Sequence, residues 1–151
     1  MNEAHRLDPS HLGYVVQRGW LLSMMGRADE ALRIADDALA RDPSLDTNPN
    51  FRHNQCYAQV LLGRFEEAIT SCEKSIAGGD DWWPYFFVTV AYAQAGDVTR
   101  AATSKAELLR RRPEFSIARL NKMGLSDNPV YLKQAETNVI PGLRKAGIPE
   151  S

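Results

Sequence analysis

Three stretches of this chain repeat one pattern, and that repetition limits the fold more than any other feature. Gly26 to Pro43 reads GRADEALRIADDALARDP, Gly63 to Asp80 reads GRFEEAITSCEKSIAGGD, and Gly96 to Pro113 reads GDVTRAATSKAELLRRRP. In each copy a glycine ends one apolar segment, and five residues later an alanine (Ala31, Ala68, Ala101) opens a second. Those alanines stand 37 and 33 residues apart. A period of roughly 34 residues made of two helical segments predicts an all-α solenoid, each helix pair burying its apolar face against the next.

The recurring residue types follow from that geometry. Antiparallel helices need small side chains where their axes come closest. Ala31, Ala35 and Ala38 fall on one helical stripe, with Gly19 expected to face them. Ala68, Cys72 and Ser75 repeat the stripe opposite Cys56. In the third copy Lys105 and Leu108 stand where small residues are expected, so this pair is expected to pack less tightly. Gly26, Gly63 and Gly96 sit where the first helix of each pair must stop, a place glycine fills cheaply. Pro43 and Pro113 close the second helices, while Gly78 and Gly79 precede Asp80 in the middle copy.

The order small residue, Tyr or Leu, Gly, Ala, small, small, Pro resembles the tetratricopeptide repeat (TPR) family. Gly19, Leu22, Gly26, Ala31, Ala35, Ala38 and Pro43 carry the resemblance in the first unit. Cys56, Gly63, Ala68, Cys72 and Ser75 carry it in the second, and Thr89, Tyr92, Gly96, Ala101 and Pro113 in the third. The resemblance implies a right-handed α-solenoid of about three TPR helix pairs over residues 12–113. It also implies a protein–protein interaction scaffold.

The helices expected are Leu12 to Met25 and Ala28 to Arg41, Phe51 to Leu62 and Phe65 to Ala77, and Asp81 to Ala95 and Val98 to Arg112. Pro49, in the loop between the first two pairs, is placed to start the next helix. Residues 1–11 look like the remnant of a preceding repeat, since Pro9 precedes Pro43 by 34 residues as one period would. That reading makes the chain a piece of a longer one with a non-native Met1; a short capping helix is the alternative.

Residues 114–151 are expected to form the C-terminal capping element, packed on the third pair. Phe115 to Met123 reads as a short apolar helix. Asn128 is the N-cap of the next, with Pro129 in its first position. Leu132, Ala135, Val139, Leu143 and Ala146 form its apolar stripe, and Pro141 must kink or split it. The run Phe115 to Ser151, with the repeats before it, also resembles the C-terminal region of bacterial class III adenylate/guanylate cyclase-like proteins. There the catalytic domain lies upstream, so the resemblance implies a regulatory or interaction arm of a signalling protein and no cyclase chemistry in these residues.

Composition sets bounds. Apolar residues make up 44% of the 151, charged residues 25%, and the net charge is −1. Such a balance gives no global field for nucleic acid or an anionic membrane. The polar start MNEAHRLDPS is not a signal peptide, and Trp82 to Ala95 is too short for a membrane helix. The expectation is a cytoplasmic protein. Cys56 and Cys72 read as reduced core thiols rather than a disulfide.

No catalytic, cofactor or metal site emerges. His5, His11 and His53 are far apart, and Gly78-Gly79 lacks the lysine of a phosphate loop. Arg110, Arg111 and Arg112 read as cations complementing a helix C-terminus rather than an anion site. The functional candidate is the concave face of the first helices, which the family resemblance marks as a peptide-binding groove. Helical phase puts Val16, Trp20 and Met24 there, then His53, Tyr57 and Leu61, then Trp83, Phe86 and Val90. Asn50, Asn54 and His53 are its only polar candidates and no basic residue joins them, so an apolar or aromatic-bearing partner is expected over an acidic peptide terminus. Three competing readings stay open. The aromatic cluster from Trp82 to Phe87 is core, it pairs with a second protomer as a homo-oligomerisation module, or it serves a small-molecule sensor around His53, Tyr57 and Trp83.

Overall fold

The computed structural model describes residues 12–151. The expected repeat remnant at 1–11, with His5 and His11, lies outside the described residues. Among the described residues every regular element is helical. Three helix pairs come first: α1 (Leu12–Met24) with α2 (Ala28–Arg41), α3 (Pro49–Leu61) with α4 (Phe65–Gly78), and α5 (Trp83–Gln94) with α6 (Val98–Arg111). Each helix packs on the next in sequence, and α1, α3 and α5 also pack side by side.

The three turns inside the pairs are copies of one another. Gly26, Gly63 and Gly96 take φ of 75°, 74° and 83°, a left-handed conformation that costs any residue with a Cβ. In each turn the amide after the glycine reaches back five residues: Arg27 to the Leu22 carbonyl (2.8 Å), Arg64 to Gln59 (2.8 Å) and Asp97 to Tyr92 (2.9 Å). The glycine amides bond to Ser23, Val60 and Ala93. This is the Schellman closure, and it satisfies carbonyls that a helix end leaves free.

The small-residue stripes lie in the interior as expected, with Ala31, Ala35 and Ala38 buried on α2 and Ala68, Cys72 and Ser75 on α4. Three details differ. Gly19 has the side chain of Asn54 on α3 as its nearest neighbour, at 3.7 Å from a Cβ placed there. In the third pair Ser104, not Lys105, occupies the stripe, accepting a 2.8 Å bond from Thr89 Oγ1, and Leu108 is wholly buried beside it. Cys56 and Cys72 are joined in a disulfide, Cα to Cα 5.3 Å, which corrects the expectation of free thiols. Their positions on the facing stripes of α3 and α4 explain the pairing: the same closeness that demands small residues brings two sulfurs into bonding range.

Between the first two pairs a 3₁₀ turn, Pro43–Thr47, replaces the expected plain loop. It is held by Asp46, which pairs with buried Arg52 of α3 and with Lys74 of α4 at 2.9 Å. Arg52 also donates to the Asp46 carbonyl (2.8 Å) and to Gln55 (2.7 Å). The Lys74 hydrogen bond, aided by the Arg52 charge, holds the Asp46 carboxyl below the usual carboxylate range. Gly78 and Gly79 lie under Pro49, which a Cβ on either would approach to 3.3 and 3.1 Å. They are there for close packing; Gly79 itself is extended.

The tail differs most from expectation. After α7 (Ile117–Lys122), capped by Ser116, the chain runs back to α1 before turning. Ser126 Oγ donates to the Met24 carbonyl at the end of α1. Asn128 caps α8 (Pro129–Gln134), accepting from the amides of Val130 and Tyr131 at 2.9 and 3.2 Å. A π-helical turn, Ala135–Val139, leads into α9 (Ile140–Ala146), which packs on α5 and α6. The tail therefore crosses all three pairs and is not confined to the third. Its end pairs with α7, the Ile117 amide donating to the Pro149 carbonyl at 3.0 Å.

The π turn answers the expected kink at Pro141. Proline has no amide to give the preceding turn and crowds its carbonyl. The wider turn, closed by an Ile140 amide to Ala135 carbonyl bond, makes room without breaking the segment. It also resets the apolar stripe. Residues spaced by four drift about 40° per step around a regular helix, and the π turn absorbs that drift. Tyr131, Val139 and Leu143 become the buried set, while Leu132, expected on the stripe, is half-exposed.

Candidate functional site

The three odd-numbered helices bring their aromatic residues into one layer. Trp20 of α1 lies 4.9 Å from Tyr57 and 6.1 Å from His53, both on α3, and 6.1 Å from Trp83 on α5, ring centre to ring centre. Phe87 completes the layer, 5.6 Å from His53, 4.8 Å from Tyr57 and stacked on Trp83. Offset and edge-on rings at such distances attract beyond their buried area.

The nine expected groove residues divide into two groups. Val16, Trp20, Met24, His53 and Trp83 are half-buried, with part of each side chain facing solvent. Tyr57, Leu61, Phe86 and Val90 are buried. The tail accounts for much of that burial. Tyr57 donates its hydroxyl hydrogen to Tyr131 at 2.9 Å, and the Leu61 carbonyl accepts from Asn138 Nδ2 at 2.7 Å. Val90 lies against Gly142. Gln94 donates to the Asn138 carbonyl at 2.9 Å, tying α5 to the π turn.

Polar groups near the half-exposed face are few. Asn54 is engaged in structure, its Nδ2 donating to the Val16 carbonyl at 2.6 Å, and Asn50 is exposed at the start of α3. Burial pushes the His53 imidazole below its ordinary value, against an opposing pull from Asp81, so the ring among Trp20 and Phe87 is neutral at pH 7. Buried surroundings raise the Tyr57 and Tyr131 phenols, so both stay protonated.

The arginine run at the end of α6 is partnered. Arg110 and Arg111 both clasp Glu107, and Arg111 also binds Asp80 at 2.7 Å. Those bonds, Arg110 first, hold Glu107 down at about 2. Arg112 pairs with Glu114 and lies over the Trp82 ring. The arginine run thus braces its own helix end. Among the described residues no group of three or more His, Cys, Asp or Glu could hold a metal, and no helix is long and apolar enough to cross a membrane.

Phe87 and Tyr131 both touch Tyr57 yet fall outside the nine expected groove positions. Phe87 follows Trp83 by four residues, the spacing that links His53 to Tyr57, so a signal was present. Tyr131 carried none, because its place beside Tyr57 depends on a tail that returns across 74 residues. No family model, curated protein or solved structure matches the chain.

Proposed function

We propose that the chain is a protein–protein interaction module, a right-handed solenoid of three TPR-type helix pairs with the tail as its cap. The three matching glycine turns and the side-by-side packing of α1, α3 and α5 support this architecture. One observation carries the binding function: Trp20, His53 and Trp83, from three successive pairs, lie together on one face and each stays partly exposed. Partly exposed aromatic side chains on a rigid support are the residues that most often anchor protein interfaces.

The partner is a segment bearing apolar or aromatic side chains. The layer has neutral His53 and no lysine or arginine, so it has no grip for an acidic terminus. In a longer parent protein the module would serve as an interaction arm, in keeping with the cyclase-like resemblance. Self-association through the same face is the competing outcome.

Display of a random peptide library against the full chain tests the proposal. Peptides rich in Trp, Phe and Leu should be enriched and should lose at least tenfold in affinity against Trp20→Ala and His53→Ala, with helical circular dichroism unchanged. Light scattering across concentration separates a monomer from a self-paired dimer. Absence of enrichment, or enrichment indifferent to both substitutions, overturns it.

A further inference from the structure

Beneath the tail lies a cavity of about 340 Å³ that partner binding at the half-exposed face does not use. Tyr57, Phe86 and Phe87 form one wall, Leu120 of α7 the floor, and Tyr131 and Val139 of the tail the other wall. Glu136 and Arg144 stand at its mouth, Arg144 held by Glu150 at 2.8 Å. Aromatic and aliphatic carbon makes up most of the lining, with Asn121 and Ser126 also on it and the charged Glu136 and Arg144 exposed. An apolar void of ~150 Å³ accepts benzene, so this volume suits about two fused rings.

Apart from Asn121 and Ser126, one polar pair lines this space deep in the fold. The hydroxyls of Tyr57 and Tyr131 lie 2.9 Å apart, and both side chains line the cavity. Two hydroxyls carry two hydrogens, and their mutual bond uses one. Among the described residues the second has no protein acceptor. A buried donor without a partner is costly, and an acceptor placed within reach recovers that cost.

We propose that this cavity is a binding site for a flat, largely apolar molecule of two-ring size. Its one hydrogen-bond acceptor meets the Tyr57–Tyr131 hydroxyl pair, and its rings lie among Phe86, Phe87 and Val139. The tail supplies half of the site, so the ligand enters past Glu136 and Arg144 or during opening of the tail.

Quinoline and naphthalene test this, because they share a shape and differ by one acceptor nitrogen. The full chain is titrated with each at pH 8, followed by amide chemical shifts. Both probes should bind saturably and shift residues around the cavity. The paired substitution Tyr57→Phe with Tyr131→Phe removes both hydroxyls together and leaves neither unpaired. It should weaken quinoline roughly tenfold while leaving naphthalene unchanged. Val139→Trp should fill the space and abolish both; if that variant fails to fold, contacts between probe protons and the Tyr131 ring locate the site instead. No saturable binding of either probe overturns the proposal. So does equal weakening of both probes by the paired substitution, quinoline affinity that it leaves intact, or binding that persists in folded Val139→Trp protein.

Discussion

Gly142 and Val90 touch so closely that no side chain fits between them. A Cβ on Gly142 would stand 2.7 Å from Val90 Cγ1 and 3.1 Å from the Val90 carbonyl oxygen. This contact seats α9 on α5. Exchanging glycine for alanine within a helix ordinarily gains up to ~1 kcal/mol. Here the collision costs ~1–3 kcal/mol and reverses the sign. Gly142→Ala should therefore lower the urea midpoint; a raised midpoint would show that α9 stands away from α5.

Gly26 and Gly96 share a backbone conformation but not a neighbourhood. At Gly26 a Cβ would meet Asn128 Oδ1 at 2.5 Å and Val130 Cβ at 2.7 Å, whereas at Gly96 nothing lies within 4 Å. Alanine at either site incurs the left-handed penalty of ~1–2 kcal/mol. Only Gly26→Ala also pushes the tail off α1, adding ~1–3 kcal/mol. Paired urea melts of the two variants measure the docking of Asn128 and Val130, and equal losses would count against it.

The Cys56–Cys72 bridge closes a loop with a sequence separation of 16. A loop of about 15 residues constrains the unfolded chain by about 3 kcal/mol. Reduction should shift the denaturation midpoint down by that order, and thiol titration of the unfolded protein should find no free sulfhydryl before reduction and two after. Free thiols in the untreated protein would return these cysteines to the role of small core residues.

His53 gives the fold a dependence on pH. Burial lowers its pKa from the ordinary 6.5, so the folded state favours the neutral ring. The unfolded chain then takes up the proton first. The stability that His53 contributes is whole above the unfolded value and declines as pH falls through 6.5 toward the folded value. Between about pH 8 and about pH 5, the wild type should lose stability relative to His53→Gln. A difference that stays constant with pH would place the ring in water.

What the sequence makes legible is what is local or repeated. Gly26, Gly63 and Gly96 announce the turns because each short-range closure needs the same left-handed residue. Asn128 and Pro129 announce α8 because a cap acts within three residues. The aromatic layer is legible as three helical faces, though Phe87 is displaced by Phe86 in that reading. The Asp46–Arg52–Lys74 network and the Tyr57–Tyr131 contact are not legible, since their partners meet only after the pairs have stacked. The π turn hides for a related reason. Pro141 signals a disruption, but whether the chain breaks, bends or widens is decided by α5 beneath it, through Gln94 and Val90.

A stack joined only by adjacent layers can lose its outermost layer while the others stand. The returning tail changes that arithmetic, because Ser126 and Asn128 fasten it at α1 and Gly142 and Leu143 seat it at α5. Peeling away either end then also releases the strap from the middle. The cheapest partial openings of a helix stack are thereby removed, so the three pairs should melt as a single cooperative unit, and native-state hydrogen exchange should find the slowest amides shared by α1, α3 and α5.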